Sequence, residues 1–490
     1  MKKVSLLPWF VVFTLFAFGQ NNKQDYHLNW DGKSSKLKVQ LDYTNATKDS
    51  TVFEYGNLSF GGQLDIFKVV KNIHCDISDK LKVDEKDRKI TIYHKGSAKK
   101  KLTYEIDGQQ PDDKKPSIFT ELFRPVITNG FLSIVNDFFM MNMNEVTDAS
   151  ISVVWDKYPK SFTYFNSINP GAKPSNKESI TQEHLGRRLF VMGENIAVTK
   201  YDVLGIPYYS IVSNEESYKV LKISFPPFFK DFFPSIRTFW QDYKAPFYFV
   251  AVLPLQYAGK TKAGGFGMDN GFMMKYLGDF DSWERVVVAH ETSHYWIGGK
   301  LQLGKDSFEN QWFGEGFNDY VTMINLAKSK VFSSTEFVEY LNGHNFKEHY
   351  TSAVKDSSNA SIAKNYWTDY KNFGQLPYRR GLIYAFYLDN QIRLATGGKF
   401  TLRDFLLDVF HLRQTKKEEE NITLNDFIEL GSKYIPREQL KNEIETYMIQ
   451  GKPIDFKLVK LIPEFQLYFK DDIPQVKITN EIDLETIYNW

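Results

Sequence analysis

The first half of the chain alternates apolar and polar residues in short runs, a pattern typical of β-strands. Turns rich in Gly, Asp and Asn separate the runs. The clearest runs are residues 37–43, 89–96, 100–107, 151–158, 196–204 and 207–214. The Phe- and Met-rich stretch 131–143 fits a strand or a helix, and we expect it to lie in a core. This pattern predicts an N-terminal β-rich domain over residues 20–214.

From residue 215 onward the apolar positions recur every three to four residues, which predicts helices. Ser333 and Glu336 have the spacing of a capping box, and Gly397 follows a long amphipathic run as a helix stop. A buried strand is predicted at 247–255, followed by a glycine-rich segment at 263–272 whose simplest interpretation is a hairpin turn. The predicted helices are 235–243, 312–330, 378–398, 401–413, 424–433 and 437–450. We predict a mixed α+β domain at 215–453 and a β appendage at 454–490.

Length and composition limit the classes of protein. A chain of 490 residues predicts two or three domains. The net charge of +1 gives no reason to expect a nucleic-acid partner or an anionic membrane surface. Cys75 is the only cysteine, so no disulfide can form within the chain.

The N-terminus has the features of an export signal. Lys2 and Lys3 form a basic start, an apolar run extends from Val4 to Phe18, and a small-x-small site precedes Gln20. A single membrane span is the alternative, but Pro8 and the shortness of the run disfavour it. We therefore predict a signal peptide at residues 1–19 and a periplasmic or secreted protein, with no stable membrane insertion after cleavage.

The most informative stretch is 281–299, which contains the pattern H-E-x-x-H at His290, Glu291 and His294. On a helix, His290 and His294 lie one turn apart on the same face and can bind one Zn²⁺ ion. Glu291 then points beside the position of a metal-bound water. The alternative is a buried helix that carries two histidines by chance, so a third ligand is needed to decide.

Glu315 supplies that candidate third ligand, because it lies on the next predicted helix, 21 positions after His294. Two histidines and one glutamate leave the fourth position of a tetrahedral zinc site for water. Asp319 lies four residues after Glu315 on the same helix face, where it could accept a hydrogen bond from a ligand histidine. An exposed helix acid is the alternative for Asp319.

The segments HETSHYWIG and WFGEGFNDY resemble the gluzincin metallopeptidases, especially the aminopeptidase N and glycyl aminopeptidase types. The resemblance implies a thermolysin-like catalytic domain that binds one Zn²⁺ through His290, His294 and Glu315. The spacing between His294 and Glu315 is two residues longer than is usual in the aminopeptidase N type. The extra residues fit into the loop at 303–311. The longer spacing therefore does not disturb the predicted metal site, but it leaves open which of the two types the chain resembles more.

Two further landmarks match these families. Tyr378 opens the segment Y-R-R-G, where the resemblance implies a tyrosine that donates a hydrogen bond to a developing oxyanion. Residues 266–270 match the G-[AG]-M-E-N substrate strand at three of five positions, with Asp269 in place of the usual glutamate. By resemblance, Gly267, Met268, Asp269 and Asn270 bind the substrate, the acidic residue pairing with its α-ammonium.

The sequence thus predicts an exported zinc metallopeptidase that acts on peptides or proteins, with Glu291 and Tyr378 as catalytic residues. We expect an aminopeptidase, with an endopeptidase of the same fold as the alternative. Two further functions fit the same motifs, namely a catalytically inactive peptide-binding relative and a zinc hydrolase of non-peptide amides or epoxides.

Overall fold

A computed structural model describes residues 22–44, 49–55, 66–94, 99–109, 124–143, 149–213, 225–254, 263–276, 282–305, 309–417, 420–479 and 483–490. The predicted signal peptide at 1–19 lies outside these residues. The chain divides into two compact units. Unit 1 comprises residues 1–109, 125–160 and 171–190, and unit 2 comprises residues 110–124, 161–170 and 191–490.

The strands of the described residues, in chain order, are β1 (Lys23–Asn29), β2 (Lys36–Thr44), β3 (Ser50–Tyr55), β4 (Val70–Cys75), β5 (Lys80–Asp84), β6 (Lys89–Tyr93), β7 (Lys99–Asp107), β8 (Val126–Thr128), β9 (Phe131–Val135), β10 (Met141–Met143), β11 (Ser150–Lys157), β12 (Thr163–Asn166), β13 (Glu178–Thr181), β14 (Leu189–Gly193), β15 (Ile196–Val203), β16 (Ile206–Ser213), β17 (Tyr248–Pro254), β18 (Ala263–Met268), β19 (Gly271–Tyr276), β20 (Phe465–Lys470) and β21 (Ile473–Ile478).

The α-helices of the described residues are α1 (Phe233–Trp240), α2 (Ser282–Ser293), α3 (Asn318–Lys328), α4 (Ser334–Glu339), α5 (Glu348–Tyr350), α6 (Asn359–Asn365), α7 (Tyr370–Phe373), α8 (Leu376–Ala395), α9 (Leu402–Thr415), α10 (Leu424–Gly431), α11 (Arg437–Glu443) and α12 (Leu484–Ile487). Four wider, π-helical stretches join or extend them at Phe228–Phe232, Trp312–Phe317, Tyr340–Lys347 and Ile444–Ile449. Short 3₁₀ turns lie at Ile66–Val69, Asn136–Phe138, Gln182–His184 and Phe456–Leu458.

Unit 1 is built from β-sheets. A six-stranded sheet has the order β13-β11-β1-β2-β7-β4, and a four-stranded sheet has the order β10-β3-β6-β5. Alternate residues of β2 are buried, as the period of two in its sequence predicts. The stretch 131–143 contains β9, a 3₁₀ turn and β10, and Ile134, Phe139 and Met141 are buried. Together with the helical C-terminal part, this β-rich region confirms the predicted mixed α+β class.

Unit 2 contains a five-stranded mixed sheet in the order β15-β16-β17-β19-β18. β17 pairs in parallel with both β16 and β19, while the outer pairs are antiparallel. The alternating pattern groups 196–213 with the N-terminal strands, yet these strands belong to the sheet of unit 2. Parallel pairing joins strands that are distant in sequence, so alternation within each strand does not reveal its partner. β18 lies at one edge of this sheet.

The predicted helices of unit 2 form close to their expected positions. The capping box at Ser333 and Glu336 is present, with both reciprocal hydrogen bonds. Helix α8 covers Leu376–Ala395, and fourteen of its twenty residues are buried, so it is a central helix rather than a surface one. Among the described residues, no helix is both long and apolar enough to cross a membrane.

The C-terminal tail, predicted as a β appendage at 454–490, contributes side chains to the core of unit 2. Phe465, Val476 and Tyr488 are buried in that core. The side-chain amide of Asn342 donates to the Val476 carbonyl at 2.8 Å, and its oxygen accepts from the Val476 N–H at 2.9 Å. The alternating pattern of the tail correctly predicts the hairpin of β20 and β21, but it cannot show that the hairpin is packed against helices.

Candidate active site

Helix α2 positions the two histidines. Val286, Val288 and Ala289 are buried and hold the helix against the core. The N–H of His294 donates to the carbonyl of His290 at 3.1 Å, which continues the helical turn by one residue. The two imidazole rings lie 4.5 Å apart, centroid to centroid, and are nearly perpendicular. The H-E-x-x-H spacing therefore does place both rings on one face.

Glu315 approaches from the π-helical stretch Trp312–Phe317. Its Oε2 atom lies 3.2 Å from Nε2 of His290 and 3.3 Å from Nε2 of His294. One ligand atom from each of the three residues lies within 4.8 Å of the others. The structure thus assembles the three residues that the sequence singles out as metal ligands.

The polar atoms of this group are suited to a cation. Glu315 Oε2 is buried and accepts no well-aligned hydrogen bond, although both imidazoles are near it. Burial favours a raised Glu315 pKa, but the imidazoles of His294 and His290 outweigh it and lower that pKa. Two imidazole nitrogens and a carboxylate are a donor set that Zn²⁺ takes in hydrolytic enzymes. The residues present therefore fit a zinc ion.

The other nitrogen of each histidine is held by a fixed partner. Nδ1 of His290 lies 2.7 Å from Oδ1 of Asp319, and Asp319 is only 6% exposed. Nδ1 of His294 donates to the carbonyl of Ile297 at 2.9 Å. These contacts set both rings so that Nε2 faces Glu315. Asp319 is thus a buried partner of His290 rather than an exposed helix acid.

Glu291 and Tyr378, predicted as catalytic residues, lie in the same environment. Burial raises the pKa of the Glu291 carboxyl, while the cationic forms of His294 and His290 oppose that rise. The Tyr378 ring is stacked against the His290 ring, with centroids 5.7 Å apart and planes at 27°. Burial, reinforced by the carboxylate of Glu315, raises the Tyr378 pKa well above its usual value. Tyr378 is therefore a protonated phenol at neutral pH.

Two glycines bring the Glu315 and Tyr378 segments together, although the motifs that contain them gave them no role. A Cβ on Gly316 would overlap the backbone of Gly381, and a Cβ on Gly381 would overlap the carbonyl oxygen of Trp312. The two backbones are thus in direct contact, which only glycine allows. In the sequence, the indication of this contact is one glycine directly after Glu315 and a second three residues after Tyr378.

Residues 267–270 lie at the end of edge strand β18 and in the turn that leads to β19. Gly267 has open space where a side chain would be, and Asp269 is exposed at the turn. Asn270 adopts a left-handed backbone with φ of 54°, as asparagine does in tight hairpins. Strand β18 packs beside helix α2. The predicted substrate strand is therefore a sheet edge next to the histidine helix.

Comparison with known proteins gives no match to any established family profile and none to a curated protein. Solved structures do match. An aminopeptidase N family protein from Idiomarina loihiensis is 14% identical, with a TM-score of 0.70 over 89% of this chain and 77% of that one. An M1 zinc metallopeptidase from Deinococcus radiodurans is 13% identical, with a TM-score of 0.53 over 90% of this chain and 96% of that one.

These similarities concern the fold, because the identities are low. They agree with the resemblance carried by the histidine and glutamate motifs, which are 290–294 and 315 in this chain. The protein has the fold of the M1 zinc metallopeptidases of the aminopeptidase N type.

Proposed function

We propose that this protein is a zinc-dependent peptidase that removes residues from the N-termini of peptides. The observation that carries the proposal is the convergence of His290, His294 and Glu315, whose ligand atoms lie within 4.8 Å of one another. Asp319 fixes the ring of His290, and Tyr378 lies against the same ring. If the helix carried its two histidines by chance, we would not expect Glu315, Asp319 and Tyr378 to lie around them.

The residues of the chain have distinct roles in this proposal. His290, His294 and Glu315 would hold the zinc, which when bound would acidify a water and polarise the substrate carbonyl. Glu291 takes a proton from the attacking water and passes it to the leaving amine, a role that suits a buried carboxyl with a raised pKa. Tyr378 keeps its proton and donates a hydrogen bond to the developing oxyanion.

The preference for free N-termini is proposed from edge strand β18. Among the described strands, β18 lies at the sheet edge, where an extended peptide can pair with its backbone, and the exposed Asp269 follows it with a carboxylate that can bind the substrate ammonium. A variant of the Deinococcus radiodurans metallopeptidase, 13% identical with a TM-score of 0.50, has been solved with a Tyr-Ser-Ala substrate bound. An endopeptidase is the alternative, because the aspartate side chain is shorter than the usual glutamate by about one C–C bond, ~1.5 Å.

A catalytically inactive peptide-binding protein is the alternative from another functional class. The chain keeps Glu291, the three metal-ligand candidates and Tyr378, so nothing that hydrolysis needs is lost from the motifs.

We also propose that the protein is exported, on the basis of the basic and apolar composition of residues 1–19.

Three variants test the function. Purified protein is expected to contain about one Zn²⁺ per chain, and Glu315→Ala to lose most of it, because two imidazoles alone bind zinc weakly. Glu291→Gln should keep the metal while kcat on a tripeptide falls at least ~10²-fold, the size of a general-base contribution. Tyr378→Phe should keep the metal and lower kcat by ~10²-fold, the effect of losing one oxyanion donor.

The measurements are metal content by atomic spectroscopy and steady-state kinetics. Full zinc content in Glu315→Ala would remove Glu315 from the ligand set. A wild-type protein that binds zinc but cleaves no peptide from a broad library would refute the peptidase. A change in KM alone for Tyr378→Phe would make Tyr378 a binding residue.

A further inference from the structure

A continuous set of aromatic side chains leads from the metal-ligand candidate His290 to the protein surface. Tyr378 is stacked on His290, and the side chain of Tyr366 lies close enough to that of Tyr378 to interact with it. The ring of Tyr366 then meets Trp367 edge-on, with centroids 4.9 Å apart, and Tyr370 edge-on at 5.5 Å. The catalytic tyrosine and these outer rings therefore belong to one connected structure.

Trp367 and Tyr370 form the outer end of this set and are exposed. Trp367 is 53% exposed and Tyr370 is 42% exposed. Their rings are nearly parallel, at 15°, with centroids 6.3 Å apart. A single exposed aromatic residue is ordinary, but paired rings beside a catalytic residue form a local apolar surface of the kind that binding sites use.

The aromatic pair rests on a rigid base. Tyr366 is only 6% exposed, and it packs with Ile362, Phe373 and Leu376 in a small hydrophobic cluster of its own. Gly374 lies directly against the Tyr370 ring, because a Cβ at that glycine would stand 2.6 Å from two ring carbons. Rings held in this way lose little conformational freedom when a ligand binds, which favours affinity.

We propose that Trp367 and Tyr370 form a subsite that binds an apolar or aromatic side chain of the peptide substrate. The subsite rests on the proposed peptidase function and specifies its substrate class. The occupant follows from position, because Tyr366 connects the pair directly to Tyr378, beside which the scissile bond must lie. The chemistry follows from the rings, since a substrate aromatic ring packs favourably against the face or edge of another.

Kinetics on a peptide series test this subsite. An all-alanine tetrapeptide is compared with peptides that carry one phenylalanine at each position in turn, and the Phe-to-Ala ratio of kcat/KM is measured. We expect wild-type protein to prefer phenylalanine at one position. Trp367→Ala should reduce that ratio about tenfold, the upper range for an aromatic contact. Tyr468→Ala, which removes an aromatic ring 40% exposed on β20, is the matched control and should leave the ratio unchanged.

Tyr370→Phe and Tyr370→Ala separate the ring from the hydroxyl. The proposal expects the alanine variant to lose the preference and the phenylalanine variant to keep it, because the contact is made by the ring. A preference that survives in both Trp367→Ala and Tyr370→Ala overturns the subsite. Loss of self-association in Trp367→Ala, with an unchanged peptide preference, would show that the pair binds a second copy instead and would also overturn it.

Binding measurements show whether the subsite or the peptidase function has failed if cleavage is not as expected. In the Glu291→Gln background, calorimetry should show tighter binding of the phenylalanine peptide than of the all-alanine peptide, and Trp367→Ala should remove that difference. If wild-type protein cleaves peptides but Trp367→Ala alters neither preference, the subsite fails alone. If no peptide is cleaved while Trp367→Ala still removes the binding preference, the peptidase function fails and the subsite stands.

Discussion

The backbones of Gly316 and Gly381 are in direct contact, so that neither residue has room for a Cβ atom. Gly316 follows the metal-ligand candidate Glu315, and Gly381 lies in the first turns of α8, three residues after Tyr378. The contact therefore sets how closely the carboxylate and the phenol can approach the same site. Glycine supplies this approach because it is the residue without a side chain.

A methyl group at this contact should force the two segments apart. We expect Gly381→Ala to lower the free energy of unfolding by about 1–3 kcal/mol, the cost of overpacking, and to weaken zinc binding. Urea unfolding and metal content measure the two effects. Gly314→Ala is the matched control, because a Cβ at that position meets no atom within 4 Å. Equal behaviour of the two variants would show that the glycine contact does not set the site.

The contact between Asp319 and His290 should contribute to metal affinity. Asp319 orients the imidazole and increases its basicity, so we expect Asp319→Ala to weaken zinc binding by ~10- to 100-fold. Asp319→Asn should lose less, because its amide oxygen can still accept the Nδ1–H bond. Competition with a chelator gives the affinities. Asp408→Asn is the control, because the Asp408 carboxylate contacts Lys433 and Tyr434 instead of a histidine. Equal zinc affinities of wild-type protein and all three variants would contradict the role of Asp319.

His349 should make the protein less stable in acid. It is 3% exposed, and burial together with the nearby Arg380 lowers its pKa to about 3 from 6.5. The unfolded chain therefore binds a proton at pH 5 that the folded chain does not. The free energy of unfolding is unaffected by this group well above pH 6.5, and it falls as the pH decreases from 6.5 towards 3. This one group should cost about 2 kcal/mol between pH 7 and pH 5.

The test compares urea unfolding of wild-type protein and His349→Gln at the two pH values. Between pH 7 and pH 5, the free energy of unfolding of wild-type protein should fall by about 2 kcal/mol more than that of His349→Gln. The reason is that glutamine does not bind a proton in this range. His411→Gln controls for the loss of an exposed imidazole. A pH-independent difference for His349→Gln would contradict the buried neutral state of His349.

Paired peptides that differ only in N-terminal acetylation test the proposed exopeptidase. If Asp269 binds the substrate ammonium, acetylation should lower kcat/KM by ~10²-fold or more, because the neutral amide cannot pair with the carboxylate and the scissile bond is then no longer held in place. Asp269→Asn should then cause a comparable loss on the free peptide. Equal cleavage of both peptides would show that no anchor for the amine exists and would support the endopeptidase alternative.

The sequence by itself determined the features that depend on neighbouring residues. The spacing of His290 and His294 placed both rings on one helix face, and the four-residue step from Glu315 placed Asp319 where it meets His290. The strand and helix periods likewise predicted most elements of both units. Each of these depends on backbone geometry over one or two turns, which is the same in any fold.

Tertiary structure decided what joins distant segments. The parallel pairing of β16 with β17, the burial of the tail in the core of unit 2, and the support of His294 by the Ile297 carbonyl were not predicted. The contact of Gly316 with Gly381 belongs to the same class, as does the connection of Tyr366 to Tyr378. Such contacts depend on how closely two backbones approach, and local periodicity carries no information about that distance.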